Sequence, residues 1–142
     1  MYTKKADSSV MKTRIENDVH ILKEVTKELM DALREEGVSE SIIFDVHVGF
    51  EEALRNAMVH GNKSNPDKKV TVETEISEDK VTICVEDEGE GFNPDFLPDP
   101  TLDENLLKEG GRGVFLIQHL MDKVSYENDG RKVIMVKYFN KK

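Results

Sequence analysis

The chain has 142 residues, of which 29 are acidic and 20 are basic, giving a formal net charge of −9. A chain of this length can bury the core of one domain, and an acidic balance without a basic stripe excludes direct binding to a nucleic-acid backbone. Because the apolar runs are too short for a membrane span or a signal peptide, we expect a cytoplasmic protein that does not enter a membrane.

The N-terminal part of the chain predicts two amphipathic helices after a loose start. Residues 1–9 show no periodicity and are expected to be flexible, and the segment 11–15 (MKTRI) predicts a short strand. From 17 to 36, apolar residues recur at three- and four-residue steps, which predicts a helix. A second helix is predicted over 39–60, with the serine at its start as the N-cap and a Gly-Asn pair after its end.

Two segments after the helices alternate apolar and polar residues, which is the pattern of half-buried strands. They are 69–77 (KVTVETEIS) and 80–87 (KVTICVED), and the short polar turn between them predicts a hairpin. Residues 92–113 then lose all periodicity and contain three of the four prolines. A loop of that length in a small domain is usually functional.

The C-terminal part predicts a short helix over 113–121 and two strands, 124–127 and 132–139. The strands flank Asn-Asp-Gly at 128–130, which is a strong hairpin signal. Together the elements predict an α+β fold, a two-layer sandwich with helices packed on one face of a mixed, mainly antiparallel sheet. The whole chain, 1–142, is expected to form this single domain.

The first motif is a pair of adjacent acids in the second predicted helix, Glu51 and Glu52, whose neighbours one turn later differ. Glu51 has Arg55 four residues on, a favourable surface pair. Glu52 instead faces Asn56. A carboxylate beside a carboxamide can act as a base next to a ligand for Mg²⁺. Ordinary helix surfaces also contain such pairs, so this motif alone leaves both interpretations open.

The second motif is EDEGEGF, in which a predicted strand ends at Asp87 and is followed by Gly89 and Gly91. Glycines and acids are common in turns for reasons of backbone geometry, so an ordinary turn is one interpretation. In the other, the glycines let the backbone approach a flat ligand while Asp87 accepts a hydrogen bond from an exocyclic amine. A dinucleotide fingerprint does not fit, because no helix follows directly.

The third motif is GGRGVFLIQHLM, in which Gly111, Arg112 and Gly113 lead into a helix. The first N–H groups of a helix are unpaired and attract phosphate. Arg112 adds a cation, and the glycines permit close approach of the main chain. A flexible linker that ends in a helix cap is the alternative.

Together the three motifs resemble the GHKL (Bergerat-fold) ATPase superfamily of gyrase, Hsp90, histidine kinases and MutL. The sequence is most similar to the short bacterial anti-sigma-factor serine/threonine kinases, from about Asp18 to Tyr138. The resemblance implies the histidine-kinase-like ATPase fold. It depends on E-x-x-x-N, D-x-G-x-G and G-x-G, which are here Glu52 and Asn56, Asp87 with Gly89 and Gly91, and Gly111 with Gly113.

The resemblance also implies roles for individual residues. Glu52 becomes the general base, Asn56 holds Mg²⁺ against the phosphates of ATP, and Asp87 reads the adenine amino group. Residues 93–113 become the ATP lid. The other positions that it places at the nucleotide are Gly89, Gly91, Phe92, Gly111, Arg112 and Gly113.

The implied reaction is transfer of the γ-phosphoryl group of ATP, with Mg²⁺, to a serine or threonine of an anti-anti-sigma (STAS-type) partner. In the family the kinase also sequesters a sigma factor, usually as a homodimer. One alternative is an ATP-binding regulatory module without kinase activity. Another is a detached histidine-kinase catalytic domain, although the roughly forty residues before Ser39 are too few for a helical phosphoacceptor hairpin.

Two features depart from the family pattern. The last predicted strand region, GRKVIMVKY, lacks the threonine that relatives often place near adenine. The predicted lid is acidic, and its negative charge disfavours ATP unless Mg²⁺ offsets it. The lid acids are Asp95, Asp99, Asp103, Glu104 and Glu109.

Overall fold

A computed structural model of the chain describes residues 2–5, 7–90 and 116–139. The strands are β1 (Thr3–Lys5), β2 (Ser8–Glu16), β3 (Lys69–Ser77), β4 (Lys80–Glu86), β5 (Lys123–Glu127) and β6 (Lys132–Tyr138). The helices are α1 (Val19–Glu35) and α2 (Glu40–Arg55), with a π-helical turn at Asn56–Gly61 and a further helical segment at 116–120. None of the helices in these ranges is long and apolar enough to cross a membrane.

The strands form one sheet in the order β1-β2-β3-β4-β6-β5. Alternation decides which side chains enter the core, so Val70, Val72 and Ile76 of β3 are buried while Glu75 is exposed. The predicted α+β sandwich is confirmed, and both predicted hairpins form. Every strand pairing that the structure describes is antiparallel, so the described sheet is antiparallel rather than mixed.

Both helices lay an apolar stripe on the buried face of this sheet. Full burial of each large apolar side chain stabilises the fold by about 1.5–3 kcal/mol. The buried residues are Leu22, Val25, Leu29 and Leu33 of α1 with Ile43, Val46, Phe50 and Leu54 of α2. Ile117 of the segment 116–120 is buried in the same core. Met121, which follows the segment, packs close to α2, since a Cβ added to Gly49 would lie 3.2 Å from its Sδ.

The helix starts differ from the expectation in detail. Asp18 caps α1, because its side chain accepts a hydrogen bond of 2.7 Å from the backbone N–H of His20. Ser39 occupies the predicted N-cap of α2, but its side chain makes no capping hydrogen bond. Its Oγ lies 3.3 Å from Oγ of Ser41 instead, so the predicted side-chain cap at Ser39 is wrong.

Much of the segment 1–9, which the sequence predicted to be flexible, is placed in strands. β1 pairs with the start of β2, and β2 pairs along its whole length with β3. The hydroxyl of Tyr2 lies 2.7 Å from Oγ1 of the buried Thr74, which fastens the N-terminal end of the chain to the sheet. Burial raises the pKa of Tyr2 to about 12.

The second helix does not run unbroken to His60 as predicted. α2 ends at Arg55, and the chain widens into the π-helical turn Asn56–Gly61. Such turns insert an extra residue per turn and occur frequently at functional sites. Here the turn begins at Asn56, one of the residues that the sequence predicted for the site.

Candidate active site

Glu52 and Asn56 lie on successive turns, where α2 passes into the π-helical turn. The backbone N–H of Asn56 donates to the carbonyls of both Glu52 and Ala53, which fixes the spacing of the two candidate site residues along the helix. The side chain of Glu52 is 20% exposed, so it retains access to solvent or to a bound substrate. The predicted adjacency of these two residues along one helix face is therefore present.

Glu52 is not unpaired, contrary to the expectation from spacing. Nη1 of Arg55 lies 2.6 Å from Oε1 of Glu52, whereas Nη2 lies 3.4 Å from Oε1 of Glu51. The guanidinium fork reaches both acids, and the three-residue step brings Glu52 closer than the four-residue step brings Glu51. Glu51 also meets Nε2 of His47 at 3.1 Å. Arg55 thus holds one carboxylate oxygen of Glu52.

The Asn56 carboxamide has one unsatisfied atom. Its Nδ2 is buried and has no hydrogen-bond partner among the described residues. Because no hydrogen bond fixes the amide at that nitrogen, a rotation of about 180° that exchanges oxygen and nitrogen breaks no contact there. A carboxamide oxygen that can be turned toward a ligand fits a cation of the Mg²⁺ type, which prefers oxygen.

Asp87 follows directly on β4 and starts an Asx-type turn over residues 87–89, the Asp87 turn. Its backbone N–H donates to the carbonyl of Arg131 at 2.9 Å, and its Oδ1 accepts from the N–H of Gly89 at 2.8 Å. Burial raises the pKa of the Asp87 carboxyl, and the Gly89 hydrogen bond and the Arg131 charge only partly offset that effect. The carboxylate is therefore partly desolvated and available as a hydrogen-bond acceptor.

Gly61 brings the two parts of the site into contact. A Cβ added to Gly61 would overlap the carboxylate of Asp87, and a Cβ added to Gly89 would overlap the carbonyl of Gly61. In the described structure, the group that approaches Gly89 closely is the backbone carbonyl of Gly61. The end of the π-helical turn is packed directly on the Asp87 turn.

The sequence pattern predicts Gly61 only as the end of a helix and Arg55 only as a partner of Glu51, so it misses the contact of Gly61 with Asp87 and that of Arg55 with Glu52. The available signal was the His-Gly-Asn that follows four residues after Asn56, which places a glycine where the helix meets another segment. Spacing within a helix cannot identify the segment that it meets, because the Asp87 turn is distant in sequence.

The other predicted site residues lie outside the described residues. They are Gly91, Phe92, Gly111, Arg112, Gly113 and the remainder of the predicted lid, 93–113. Within 2–5, 7–90 and 116–139, the structure contains no cluster of three or more His, Cys, Asp or Glu side chains that could hold a metal. The predicted Mg²⁺ ligand is Asn56, and the observation that fits this prediction is its buried Nδ2, which has no hydrogen-bond partner among the described residues.

The fold and this site define an ATP-binding domain of the histidine-kinase-like type. The family model described as histidine kinase-like ATPase domain matches residues 15–137, and the chain belongs to this family. This membership confirms the superfamily that the three motifs predicted.

Curated relatives are similar over most of the chain. The serine-protein kinase RsbW of Listeria monocytogenes serovar 1/2a is 36% identical over 113 residues, which cover 75% of this chain and 72% of the relative. The protein of the same name from Staphylococcus aureus strain JH9 is 35% identical over 113 residues, which cover 74% of this chain and 71% of that protein. That of Bacillus subtilis strain 168 is 35% identical over 107 residues, covering 69% and 66%.

Proposed function

We propose that the chain is an ATP-dependent serine/threonine protein kinase of the anti-sigma-factor type. It phosphorylates an anti-anti-sigma (STAS-type) partner and sequesters a sigma factor. The observation that supports this function best is the packing of Gly61 against Asp87, which joins the helix end with Glu52 and Asn56 to the Asp87 turn. The names of the similar proteins, serine-protein kinases, support the same reaction class.

Asp87 recognises the adenine base in this proposal. An ionised carboxylate only accepts hydrogen bonds, and the adenine amino group only donates them, so the two are complementary. Gly89 keeps Asp87 Oδ1 oriented through its backbone N–H. The half-buried position strengthens the contact, because less water competes for the carboxylate.

Asn56 is the proposed protein ligand for Mg²⁺, with its carboxamide oxygen turned toward the ion. Mg²⁺ usually keeps several waters and binds through one or two protein oxygens and the substrate phosphates, so one amide is a sufficient protein contribution. When bound, Mg²⁺ offsets the negative charge of the phosphates. The amide itself anchors that end of the nucleotide to the π-helical turn.

Glu52 acts as the general base. As the hydroxyl oxygen of the partner's serine or threonine bonds to the γ-phosphorus, the bond from phosphorus to the bridging oxygen breaks and ADP leaves. Glu52 takes the hydroxyl proton. Because Arg55 holds Oε1 of Glu52, Oε2 remains to receive that proton, and the ion pair fixes the direction of the carboxylate.

The remaining residues complete the proposed site by the family resemblance. Residues 93–113 form the ATP lid, in which Gly111, Arg112 and Gly113 contact the phosphates. Gly91 and Phe92 lie beside the base. The active protein is a cytoplasmic homodimer.

Glu52→Gln tests the function, with Glu51→Gln as the matched control that removes an adjacent acid. Each protein is incubated with labelled ATP, Mg²⁺ and the anti-anti-sigma partner, and phosphorylation of the partner is measured. We expect Glu52→Gln to bind ATP normally and to label the partner at least about 100-fold more slowly, since general-base catalysis typically contributes 10²–10⁴. Glu51→Gln should label at close to the wild-type rate.

Equal labelling by Glu52→Gln and wild type would remove Glu52 from the mechanism. Binding of ATP by the wild type without any labelling of the partner would favour the ATP-binding regulatory module.

A further inference from the structure

Asn62 is a buried polar residue that none of the proposed catalytic roles requires. It directly follows the π-helical turn and is 0% exposed. Its Oδ1 accepts a hydrogen bond of 2.7 Å from the backbone N–H of Glu88, and its Nδ2 donates to the carbonyl of Lys69 at 2.9 Å. Its own backbone N–H donates to the carbonyl of Ala57 at 2.8 Å. A buried amide with these bonds satisfied rigidifies the segments that it joins.

These bonds join three segments that meet at the site. Asn62 is the C-cap of the π-helical turn, Lys69 begins β3, and Glu88 is the residue after Asp87. Since Oδ1 of Asn62 holds the peptide N–H between Asp87 and Glu88, it fixes the Asp87 turn relative to the helix end. The adjacent Gly61 provides the surface on which that turn rests.

A second set of bonds shares only Nδ2 of Asn62 with this one and does not include the bond from Oδ1 of Asn62 to Glu88. Nδ2 of Asn62 lies 3.4 Å from Oδ1 of Asn17, whose Nδ2 donates to the carbonyl of Met58 at 3.2 Å. Asn17 supports the same helix end but makes no contact with Glu88 in any described hydrogen bond. The Glu88 side chain is bound to Arg14 and to the backbone of Lys69 at the exposed surface. Asn17 is therefore a control for stability without contact to the Asp87 turn.

We propose that Asn62 is a positioning residue that sets the preference for adenine over guanine nucleotides, by holding the Asp87 turn against Gly61. This inference rests on the proposed nucleotide site and deepens it. Adenine offers an amino group where guanine offers a carbonyl oxygen, and a carboxylate attracts the first and repels the second. The repulsion excludes guanine only if the carboxylate cannot move away, and Asn62 adds a buried restraint to the bond between the Asp87 N–H and the Arg131 carbonyl.

The test compares the dissociation constants of Mg-ADP and Mg-GDP for wild type, Asn62→Ala and Asn17→Ala, at a temperature where melting curves show each protein folded. In Asn62→Ala the dissociation constant of Mg-GDP divided by that of Mg-ADP should fall about tenfold. A site that discriminates through polar groups held in fixed positions loses that discrimination when the groups can move. In Asn17→Ala the ratio should stay within about twofold of the wild type. A residue that only stabilises the fold would lower melting temperature and leave the ratio unchanged.

An unchanged ratio in Asn62→Ala overturns the inference while leaving the proposed kinase intact. A wild type that binds neither nucleotide overturns the proposed function and this inference together. If Asn62→Ala does not fold, hydrogen exchange of the wild-type Glu88 amide decides the matter. Strong protection of that amide, increased by ADP, supports the restraint, and exchange at the rate of a free peptide contradicts it.

Discussion

The two halves of the site are fixed in different ways. Glu52 and Asn56 are held by neighbours within four residues, through the main-chain bond of Asn56 to the Glu52 carbonyl and the Arg55 ion pair. The Asp87 turn is held by residues far away in sequence, because Asn62 is 26 residues from Glu88. The arrangement of Glu52 and Asn56 follows from helix geometry alone. The Asp87 turn is positioned only when the sheet and the helix end pack together.

This difference predicts that a substitution at a contact between the halves lowers nucleotide affinity more than a substitution within either half. Two glycines allow this prediction to be tested, because each occupies a position that disfavours a side chain, but for a different reason. At Gly61 the reason is space, since a Cβ would overlap the Asp87 carboxylate. At Gly37 the reason is the backbone angle, since φ is 78° and no atom lies within 4 Å of an added Cβ.

Gly61→Ala should have the largest effect on nucleotide binding. The new Cβ displaces the Asp87 carboxylate, so the charge-assisted hydrogen bond to the base is lost, and ADP affinity should fall up to about 100-fold. Calorimetric titration measures this change. Gly37→Ala should lower the free energy of unfolding by about 1–2 kcal/mol through backbone strain and leave ADP affinity unchanged. Equal ADP affinity in Gly61→Ala and wild type would refute the contact between the halves.

Asp87→Asn should have the next largest effect and should separate binding from stability. ADP affinity should fall about tenfold, because the neutral amide replaces a charged acceptor. The stability of the folded protein, by contrast, should not decrease in this variant at neutral pH. The pKa of Asp87 is raised in the folded protein above its ordinary value of 3.8, so the ionised carboxylate disfavours folding at neutral pH.

The sign of this effect can be followed with pH. The unfavourable contribution of Asp87 is fully present above its raised pKa, decreases as the pH falls through that value, and is gone below 3.8. The carboxamide that replaces it is never ionised, so Asp87→Asn should melt at the same temperature as the wild type or higher at pH 7. Its advantage should disappear in acid. A variant that is less stable at pH 7 and regains stability in acid would show that the carboxylate is not destabilised by burial.

Much of the fold could be predicted from periodicity alone. The strands β3, β4, β5 and β6 and the α1 and α2 helices arise from apolar patterns of period two or near 3.6. The structure places them within a few residues of the prediction, except that α2 ends at Arg55 rather than near His60. The segment 1–9 showed no such pattern. Its strands form because β2 pairs along its whole length with β3 and β1 pairs with the start of β2, and local sequence does not reveal these partners.

The site was predictable to the extent that its contacts are local. The spacing of Glu52 and Asn56 correctly predicted that they lie on successive turns of one helix face. Asp87 was predicted to end a strand, and the structure ends that strand one residue earlier, at Glu86. Spacing could not predict that Arg55 would favour Glu52, because side-chain rotamers decide between steps of three and four residues. Nor could it predict the π-helical turn or the packing of Gly61 on Asp87, since both depend on the meeting of distant segments.

Thermal melting with and without Mg-ATP tests most directly whether both halves form one nucleotide site. At a ligand concentration 100 times its dissociation constant, binding adds about 2.7 kcal/mol to the free energy of unfolding. For a chain of 142 residues the melting temperature should then rise by about 5–10 °C. A melting temperature that does not change at millimolar Mg-ATP would contradict the account.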